Sequence, residues 1–128
     1  MLKTKILLPA LILSFSWINC ASIAETDRVV GEFLAAYDTG DYKKITPFLT
    51  LELKGELPEK KYKDSFYFMS KYYGKLKSRN RTSFSIRNDT ARLKYSLSYE
   101  KQECRGFFRL IKRQEKWQLD EFQIKKVK

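Results

Sequence analysis

The spacing of hydrophobic residues along the chain changes once, at Gly74. Before this glycine, apolar residues recur at steps of three and four, which is the period of a helix with one buried face. After it, apolar and polar residues alternate, which is the period of a strand with one buried face. The pattern therefore predicts a helical first half and a β-sheet in the second half.

The first predicted helix covers residues 27–37. One stripe at helical spacing holds its apolar residues, which are Val30, Phe33, Leu34 and Tyr37. Thr26 or Asp27 can cap the start of this helix. Gly40 suits the left-handed position that follows a helix end.

Two further helices are predicted before Gly74. One follows the N-cap Asp41 and covers residues 42–49, and the other begins with Pro58 in its first turn. The apolar face of the third helix is formed by Tyr62, Phe66, Met69 and Tyr73 and is widened by Phe68 and Tyr72. Gly74 ends this helix.

The alternating half predicts about four strands. These strands lie within residues 81–87, 90–100, 104–113 and 117–125. The third is apolar on both faces around Phe107 and Phe108, which predicts a central position. In the fourth, a bulge near Asp120 and Glu121 would bring all of its apolar residues to one core. Helices that precede strands predict an α+β fold, with three N-terminal helices packed in a curved antiparallel sheet.

The first 24 residues have the composition of a secretory signal peptide. Lys3 and Lys5 precede an apolar stretch over residues 6–18, which is too short to span a bilayer comfortably. We therefore expect an exported protein with one domain over residues 25–128.

Two processing sites compete at the end of this leader. The small residues Ser22 and Ala24 suit an ordinary signal peptidase, which would cut before Glu25 and release a periplasmic or secreted protein. Alternatively, residues 1–19 are removed and Cys20 is acylated, so that its acyl chains hold the protein to a membrane. The sequence leaves both routes open.

The order and spacing of these motifs resemble the nuclear transport factor 2-like (cystatin-like) superfamily. The stretches that carry the resemblance are FLAAYDTGDYKKITPFL, YYGKLKSR and KWQLDEFQI. Within the superfamily, the chain is most similar to small exported bacterial domains of unknown function. The resemblance implies a cone, in which a curved sheet surrounds the helices and leaves a pocket at its open end. Members include isomerases, dehydratases and proteins without catalysis, so the fold does not give the function.

By the same resemblance, a catalytic member would use a buried aspartate as base and tyrosines as donors. The matching candidates in this chain are Asp38, Tyr37, Tyr95 and Tyr99. The structural alternative is that Asp38 is a solvated turn residue and that the tyrosines belong to the core.

Other residue types narrow the chemistry further. The chain has no histidine, which excludes Ser–His and Cys–His nucleophile pairs and the usual zinc sites. There is also no glycine-rich phosphate loop. We therefore expect no cofactor and no metal. Cys104 is the thiol that remains once Cys20 is removed or acylated, and we expect it to be a small buried side chain.

The net charge of +11 is the remaining feature of the sequence that bears on function. The residues predicted to form a surface for a polyanion or a partner are Lys75, Lys77, Arg79, Arg81, Arg92 and Lys94. A solvated sheet face would also explain such residues. The exported compartment and the absence of a recognised nucleic-acid-binding motif argue against nucleic acid as the partner.

Together these observations predict a non-enzymatic protein of the cell envelope. It would bind a small apolar ligand in the cone or a protein partner on its basic sheet. Two alternatives are a small isomerase or hydrolase with an Asp/Tyr pocket, and a protein that binds anionic membrane surfaces through residues 75–81. The sequence does not decide whether the protein forms a homodimer.

Overall fold

The helices occupy the first half of residues 21–128, which are the part of the chain that the computed structural model describes. Of the two predicted processing sites, Cys20 lies outside this range and Ala24 lies within the first helix. The helical elements are α1 (residues 21–37), α2 (Tyr42–Ile45), a 3₁₀ turn (Thr46–Phe48), α3 (Leu51–Glu56) and α4 (Glu59–Tyr72). None of the helices in the described residues is long and apolar enough to cross a bilayer.

The start of α1 differs from its prediction. Thr26 lies inside the helix and is fully buried, and its hydroxyl donates a hydrogen bond to the carbonyl oxygen of Ser22 at 2.9 Å. Neither Thr26 nor Asp27 is therefore a cap. The capping prediction is wrong because a threonine can bond back to the preceding turn as readily as it caps a helix start.

The segment between α1 and α4 is more broken than predicted. Asp41 caps α2 as expected, since its Oδ1 accepts a hydrogen bond from the backbone N–H of Lys43 at 3.0 Å. The predicted helix over residues 42–49 continues only as a 3₁₀ turn, and the unpredicted helix α3 follows. Gly40 and Gly74 have φ values of 75° and 80°, so both glycines occupy the left-handed conformation predicted for a helix end.

The second half forms one antiparallel sheet that is curled but not closed. Its strands are β1 (Leu76–Arg87), β2 (Thr90–Tyr99), β3 (Glu103–Arg113) and β4 (Lys116–Lys126), in that order across the sheet. This arrangement confirms the predicted α+β class and the interior position of the third strand. The pairing of β3 with β4 skips Asp120, which confirms the predicted bulge.

The core lies between the helices and one face of the sheet, here called the helix-facing face. The Phe33 ring of α1 contacts Phe108 and Phe122 of the sheet, with centroids 6.5 and 5.1 Å apart. The five residues of β2 predicted to point inward are all buried, namely Ala91, Leu93, Tyr95, Leu97 and Tyr99. The alternation in the sequence therefore predicted which face of this strand is buried.

Helix α4 uses only part of its predicted apolar face. Tyr62 is fully buried, and the inward face continues through Phe66, Met69 and Tyr73. Phe68 and Tyr72, however, are 49% and 55% exposed. The prediction that they widen the buried face is wrong because the rest of the domain covers only one side of α4.

Strand β1 forms an edge of the sheet. Within the described residues it pairs only with β2, and its residues are almost all exposed. Phe84, which the alternation predicted to face a core, is 49% exposed. The strand contains four cationic residues and no acidic one.

Candidate functional site

Three places in the described chain bring polar and charged groups together. The first is a cluster around Asp38 at the end of α1, and the second is a cluster around Asp27 nearer its start. The third is an open groove on the outer face of the sheet, which is the face turned away from the helices. The predicted site residues are divided among these places and the start of β1.

Asp38 connects the end of α1 to the start of β1. Its Oδ2 accepts a hydrogen bond from the backbone N–H of Leu76 at 3.0 Å. Burial raises the pKa of Asp38, and this effect outweighs the hydrogen bond and the charge of Lys75, which act in the opposite direction. Asp38 is thus a half-buried group with a structural contact, which differs from both the solvated turn residue and the free base considered above.

Tyr99, a second predicted catalytic residue, lies close to Asp38. Burial raises the pKa of Tyr99, and the negative charge of Asp38 raises it further. The ring of Tyr99 lies 6.0 Å from that of Tyr73. Tyr99 therefore keeps its proton at neutral pH and can act only as a hydrogen-bond donor or acceptor.

The neighbouring groups around Asp38 are also held neutral. The hydroxyls of Tyr37 and Ser65 are 2.6 Å apart, and burial raises the pKa of Tyr37. The Tyr62 hydroxyl donates to the Tyr37 carbonyl oxygen at 2.7 Å, and burial raises the pKa of Tyr62 to about 12. Cys104 is buried as expected, and burial raises the pKa of its thiol, which makes it a poor nucleophile.

Tyr95 does not belong to the Asp38 cluster. Its hydroxyl donates a hydrogen bond to Oδ1 of Asp27. Burial raises the pKa of Tyr95, and the Asp27 contact adds to this effect. Asp27 and Asp38 are eleven residues apart on or next to α1, which corresponds to about 16 Å along a helix. The predicted catalytic residues Asp38, Tyr95 and Tyr99 therefore do not converge on one point.

Two cations of the predicted polyanion surface also turn toward Asp27. The guanidinium groups of Arg79 and Arg81 approach its carboxylate at 3.5 and 3.6 Å. The Arg79 guanidinium lies directly against Gly31 of α1, where a Cβ atom would come within 2.6 Å of it. Both arginines therefore lie on the helix-facing side of β1 and share one carboxylate.

The remaining four residues of that predicted surface lie elsewhere. Lys75 and Lys77 are at the start of β1, where the backbone N–H of Lys75 donates to Glu100 Oε1 at 2.7 Å. Arg92 and Lys94 are exposed on the outer face of β2. The structure thus divides the predicted surface into three parts.

The groove on the outer face has a volume of about 1060 Å³ and is here called the basic groove. Its lining includes five cationic residues and no aspartate or glutamate. The cations are Lys94, Arg105, Lys125, Lys126 and Lys128. Phe107 lies half-buried among them, directly across from Lys94 in the strand register. The groove thus combines cationic side chains with a half-buried aromatic ring.

The cations of the basic groove have no counter-charge among the acidic side chains of residues 21–128. Within the described residues, none of the five forms an ion pair. Arg109, farther along the same face, is neutralised by Asp120 at 2.8 Å and Glu121 at 3.4 Å. The groove therefore brings together five cations that no acidic side chain of the described residues neutralises.

Of the five groove cations, only Lys94 belongs to the surface that the sequence predicted for a polyanion or partner. Arg105 and Lys125 occupy outward positions on β3 and β4, and the register places them in one row with Ser96. The alternating pattern could have indicated that each points outward. Their convergence depends on the register between strands, which no single strand encodes.

No group of three or more metal-ligating side chains occurs within residues 21–128. No protein-family profile matches the chain. No curated protein matches it either. The likeness of this chain to known proteins is therefore one of structure.

Several solved structures share the fold. A nuclear transport factor 2-like protein of unknown function from Silicibacter pomeroyi matches with a TM-score of 0.63 and 14% identity, over 84% of this chain and 98% of that one. A DUF4783 family protein from Bacteroides uniformis matches with a TM-score of 0.55 and 16% identity, over 77% and 96%. A putative scytalone dehydratase from Novosphingobium aromaticivorans matches with a TM-score of 0.57 and 10% identity, over 86% and 87%. The chain therefore has the nuclear transport factor 2-like fold that the sequence resemblance implied.

Proposed function

We propose that this protein acts by binding an anionic partner in the basic groove and not by catalysing a reaction. The observation that carries the proposal is the groove itself, whose lining combines five cations and Phe107 with no aspartate or glutamate. Because these cations form no ion pair in the described part of the chain, an incoming anion would gain attraction without first breaking one. This proposal retains the predicted partner surface on the sheet and moves its centre toward β3 and β4.

The strand register supports a single binding surface. Ser96, Arg105 and Lys125 are successive cross-strand neighbours, and such neighbours on one sheet face lie about 5 Å apart. The next row holds Lys94 and Phe107, about 7 Å along the strands. These spacings suit several anionic groups on one extended ligand, such as sulfates, phosphates or acidic side chains.

Two other predicted functions, binding of an apolar ligand and catalysis, have less support. Aromatic rings of α1 and the sheet occupy the space between the two layers, where the predicted apolar ligand would bind. Catalysis would depend on Asp38, the acid near Tyr99. The pKa of Asp38 is raised, but its carboxylate already accepts a hydrogen bond from the backbone. Binding of an apolar ligand and catalysis therefore both remain predictions, without a set of converging side chains to support them.

The first test uses a sulfated oligosaccharide derived from heparin as a polyanion probe. We expect a protein with Lys94→Gln, Arg105→Gln and Lys125→Gln to bind this probe at least about tenfold more weakly than the wild type. The reason is that each cation contributes on the order of 1 kcal/mol to the attraction of a polyanionic surface. Isothermal titration calorimetry at two salt concentrations measures the dissociation constants.

The matched control removes the same charge away from the groove. It carries Lys43→Gln, Lys44→Gln and Lys116→Gln, three exposed lysines outside the groove lining. Its dissociation constant should stay within about twofold of the wild-type value at physiological salt, where distant surface charges are screened. Equal weakening in both triple variants would show that net charge, and not the groove, determines binding, and the proposal would fail.

A further inference from the structure

Helix α4 exposes three neighbouring aromatic side chains that the core does not use. Tyr67, Phe68 and Tyr72 are 67%, 49% and 55% exposed, and they are here called the α4 aromatic patch. The rings of Phe68 and Tyr72 are 4.9 Å apart. Phe68 and Tyr72 share one helix face, and the Lys71 side chain bridges the Tyr67 and Tyr72 rings. Single exposed aromatic residues are common, whereas such a continuous group indicates an interaction surface.

Lysine side chains accompany the patch. The Lys71 ammonium lies 5.9 Å from the Tyr67 ring centroid and 5.6 Å from that of Tyr72. Lys101, from the turn between β2 and β3, donates from Nζ to the Lys71 carbonyl oxygen at 3.5 Å. Neither ammonium forms an ion pair within the described residues. The surface is therefore aromatic and cationic together.

We propose that the α4 aromatic patch docks the domain on an anionic lipid bilayer. Tyrosine and lysine place an apolar body beside a polar tip, which is the arrangement favoured at the boundary between lipid headgroups and acyl chains. Anionic headgroups attract the two ammonium groups, while the Phe68 ring and the bodies of the tyrosines enter the boundary region. A second copy of this chain fits the patch poorly, because it would bring the same lysines toward each other.

This inference goes beyond the proposed function and does not rest on it. The residues of the patch are absent from the lining of the basic groove. It also changes the predicted location of membrane binding. The sequence placed Arg79 and Arg81 in the membrane-binding cluster, but both form ion pairs with Asp27 on the helix-facing side of the sheet.

Hydroxyl-radical footprinting of the protein purified from its host tests the proposal whether or not the protein carries a lipid anchor. The protein is exposed to radicals alone, with phosphatidylcholine vesicles, and with vesicles that also contain phosphatidylglycerol. We expect oxidation of Tyr67, Phe68 and Tyr72 to fall several-fold with the phosphatidylglycerol vesicles only. Phe84, which is 49% exposed on β1, is the internal control and should be oxidised equally in all three samples.

A variant with Phe68→Ser and Tyr72→Ser should lose this protection of Tyr67. It should also bind the anionic vesicles about tenfold more weakly in flotation, because binding scales with the apolar area buried at the boundary. The exposed positions of both rings predict a folded variant, which thermal unfolding confirms or denies. The Lys94, Arg105 and Lys125 triple variant should keep full protection of the patch.

Three outcomes would overturn the proposal. One is unchanged oxidation of the patch with anionic vesicles. Another is protection that appears without vesicles as the protein concentration rises, which would assign the patch to self-association. The third is vesicle binding that survives loss of the two rings but is lost in the groove variant.

Discussion

Asp38 shows how one residue can resemble a catalytic base and still serve the fold. Its carboxylate joins α1 to β1 through the Leu76 N–H, yet burial raises its pKa. The ionised form is therefore less favourable in the folded chain than in the unfolded chain. Such a group favours the folded state fully only below its ordinary pKa of 3.8, and this contribution is lost as the pH rises through the folded-state pKa.

Replacing Asp38 by asparagine tests how much the ionised carboxylate destabilises the folded state. Asparagine keeps an oxygen acceptor for the Leu76 N–H but carries no charge, so the variant should be more stable than the wild type at neutral pH. This advantage should shrink as the pH falls through the raised pKa and disappear below 3.8. Urea unfolding over a pH series measures the difference in free energy of unfolding.

Two further variants separate the charge of Asp38 from its hydrogen bond. Asp64→Asn is the control, because it removes the same charge from an exposed side chain near Lys60. Asp38→Ala also removes the charge but loses the acceptor, so it should be about 1 kcal/mol or more less stable than Asp38→Asn at every pH. If the advantage of Asp38→Asn grew at low pH, the assignment of a raised pKa would be wrong.

A substitution at Gly31 tests a second single-residue contact, the one between β1 and α1. Alanine there would place its Cβ 2.6 Å from the Arg79 guanidinium, which must move away. The ion pair of Arg79 with Asp27 is long, at 3.5 Å, and partly exposed, so its loss costs little. Alanine gains about 1 kcal/mol in a helix interior, so we expect Gly31→Ala to raise the free energy of unfolding slightly.

Gly55 is the natural control for that substitution. It lies in α3, where an added Cβ atom would have no neighbour within 4 Å, so Gly55→Ala should give the helix-propensity gain alone. Thermal and urea unfolding of both variants measure the difference. A loss of more than about 1 kcal/mol in Gly31→Ala alone would mean that the Arg79 contact holds β1 to the helices.

At the scale of elements, the turn between β3 and β4 is strained. Gln114 and Glu115 both have positive φ values, 52° and 62°, which is the backbone of a type I′ turn. Asparagine and glycine favour this conformation, so Gln114→Asn with Glu115→Gly should stabilise the domain by about 1 kcal/mol. Urea unfolding checks the gain, and a decrease in stability would contradict the assignment of the turn type.

Glu115 also has a surface contact that needs a separate control. Its carboxylate lies 3.4 Å from Lys112 Nζ, although the Glu115 side chain is 92% exposed. Such exposed pairs contribute little. Glu115→Gln should therefore leave the free energy of unfolding nearly unchanged, so that any gain in the double variant belongs to the backbone.

The sequence predicted elements well where a pattern repeats within one element. The alternation of β2 and the change of phase at Asp120 gave the buried face and the bulge. Helix α3 was missed because its six residues are too few to show a period. Its N-cap, Thr50, is also held by tertiary contacts, since its N–H donates to the Leu119 carbonyl oxygen at 2.8 Å. Such contacts are invisible before the sheet is assembled.

The candidate sites were harder to predict because they belong to the assembled molecule. Tyr95 and Tyr99 lie four residues apart on one face of β2, yet Tyr95 bonds to Asp27, whereas the acid whose charge raises the pKa of Tyr99 is Asp38. Likewise, Arg79 and Lys94 were grouped by charge, although they lie on opposite faces of the sheet. Only the packing of α1 against the sheet and the strand register decide these positions.

On the scale of the whole molecule, the two proposed surfaces face in different directions. The basic groove lies on the side of the sheet away from the helices, and the α4 aromatic patch lies on the side of α4 away from the core. Both can therefore be occupied at once. A domain docked through α4 would present the groove to the solution, where an anionic partner could reach it.

The exposed edge formed by β1 bears on how the protein behaves when it is concentrated. A long unpaired strand is a template on which other chains can assemble into fibrils. β1 has four cations and no acid in twelve residues, and Asp27 offsets only part of this charge, so we expect two β1 strands to repel each other. Salt screens the same repulsion, so the colloidal stability of the protein depends on the ionic strength around it even where its fold does not.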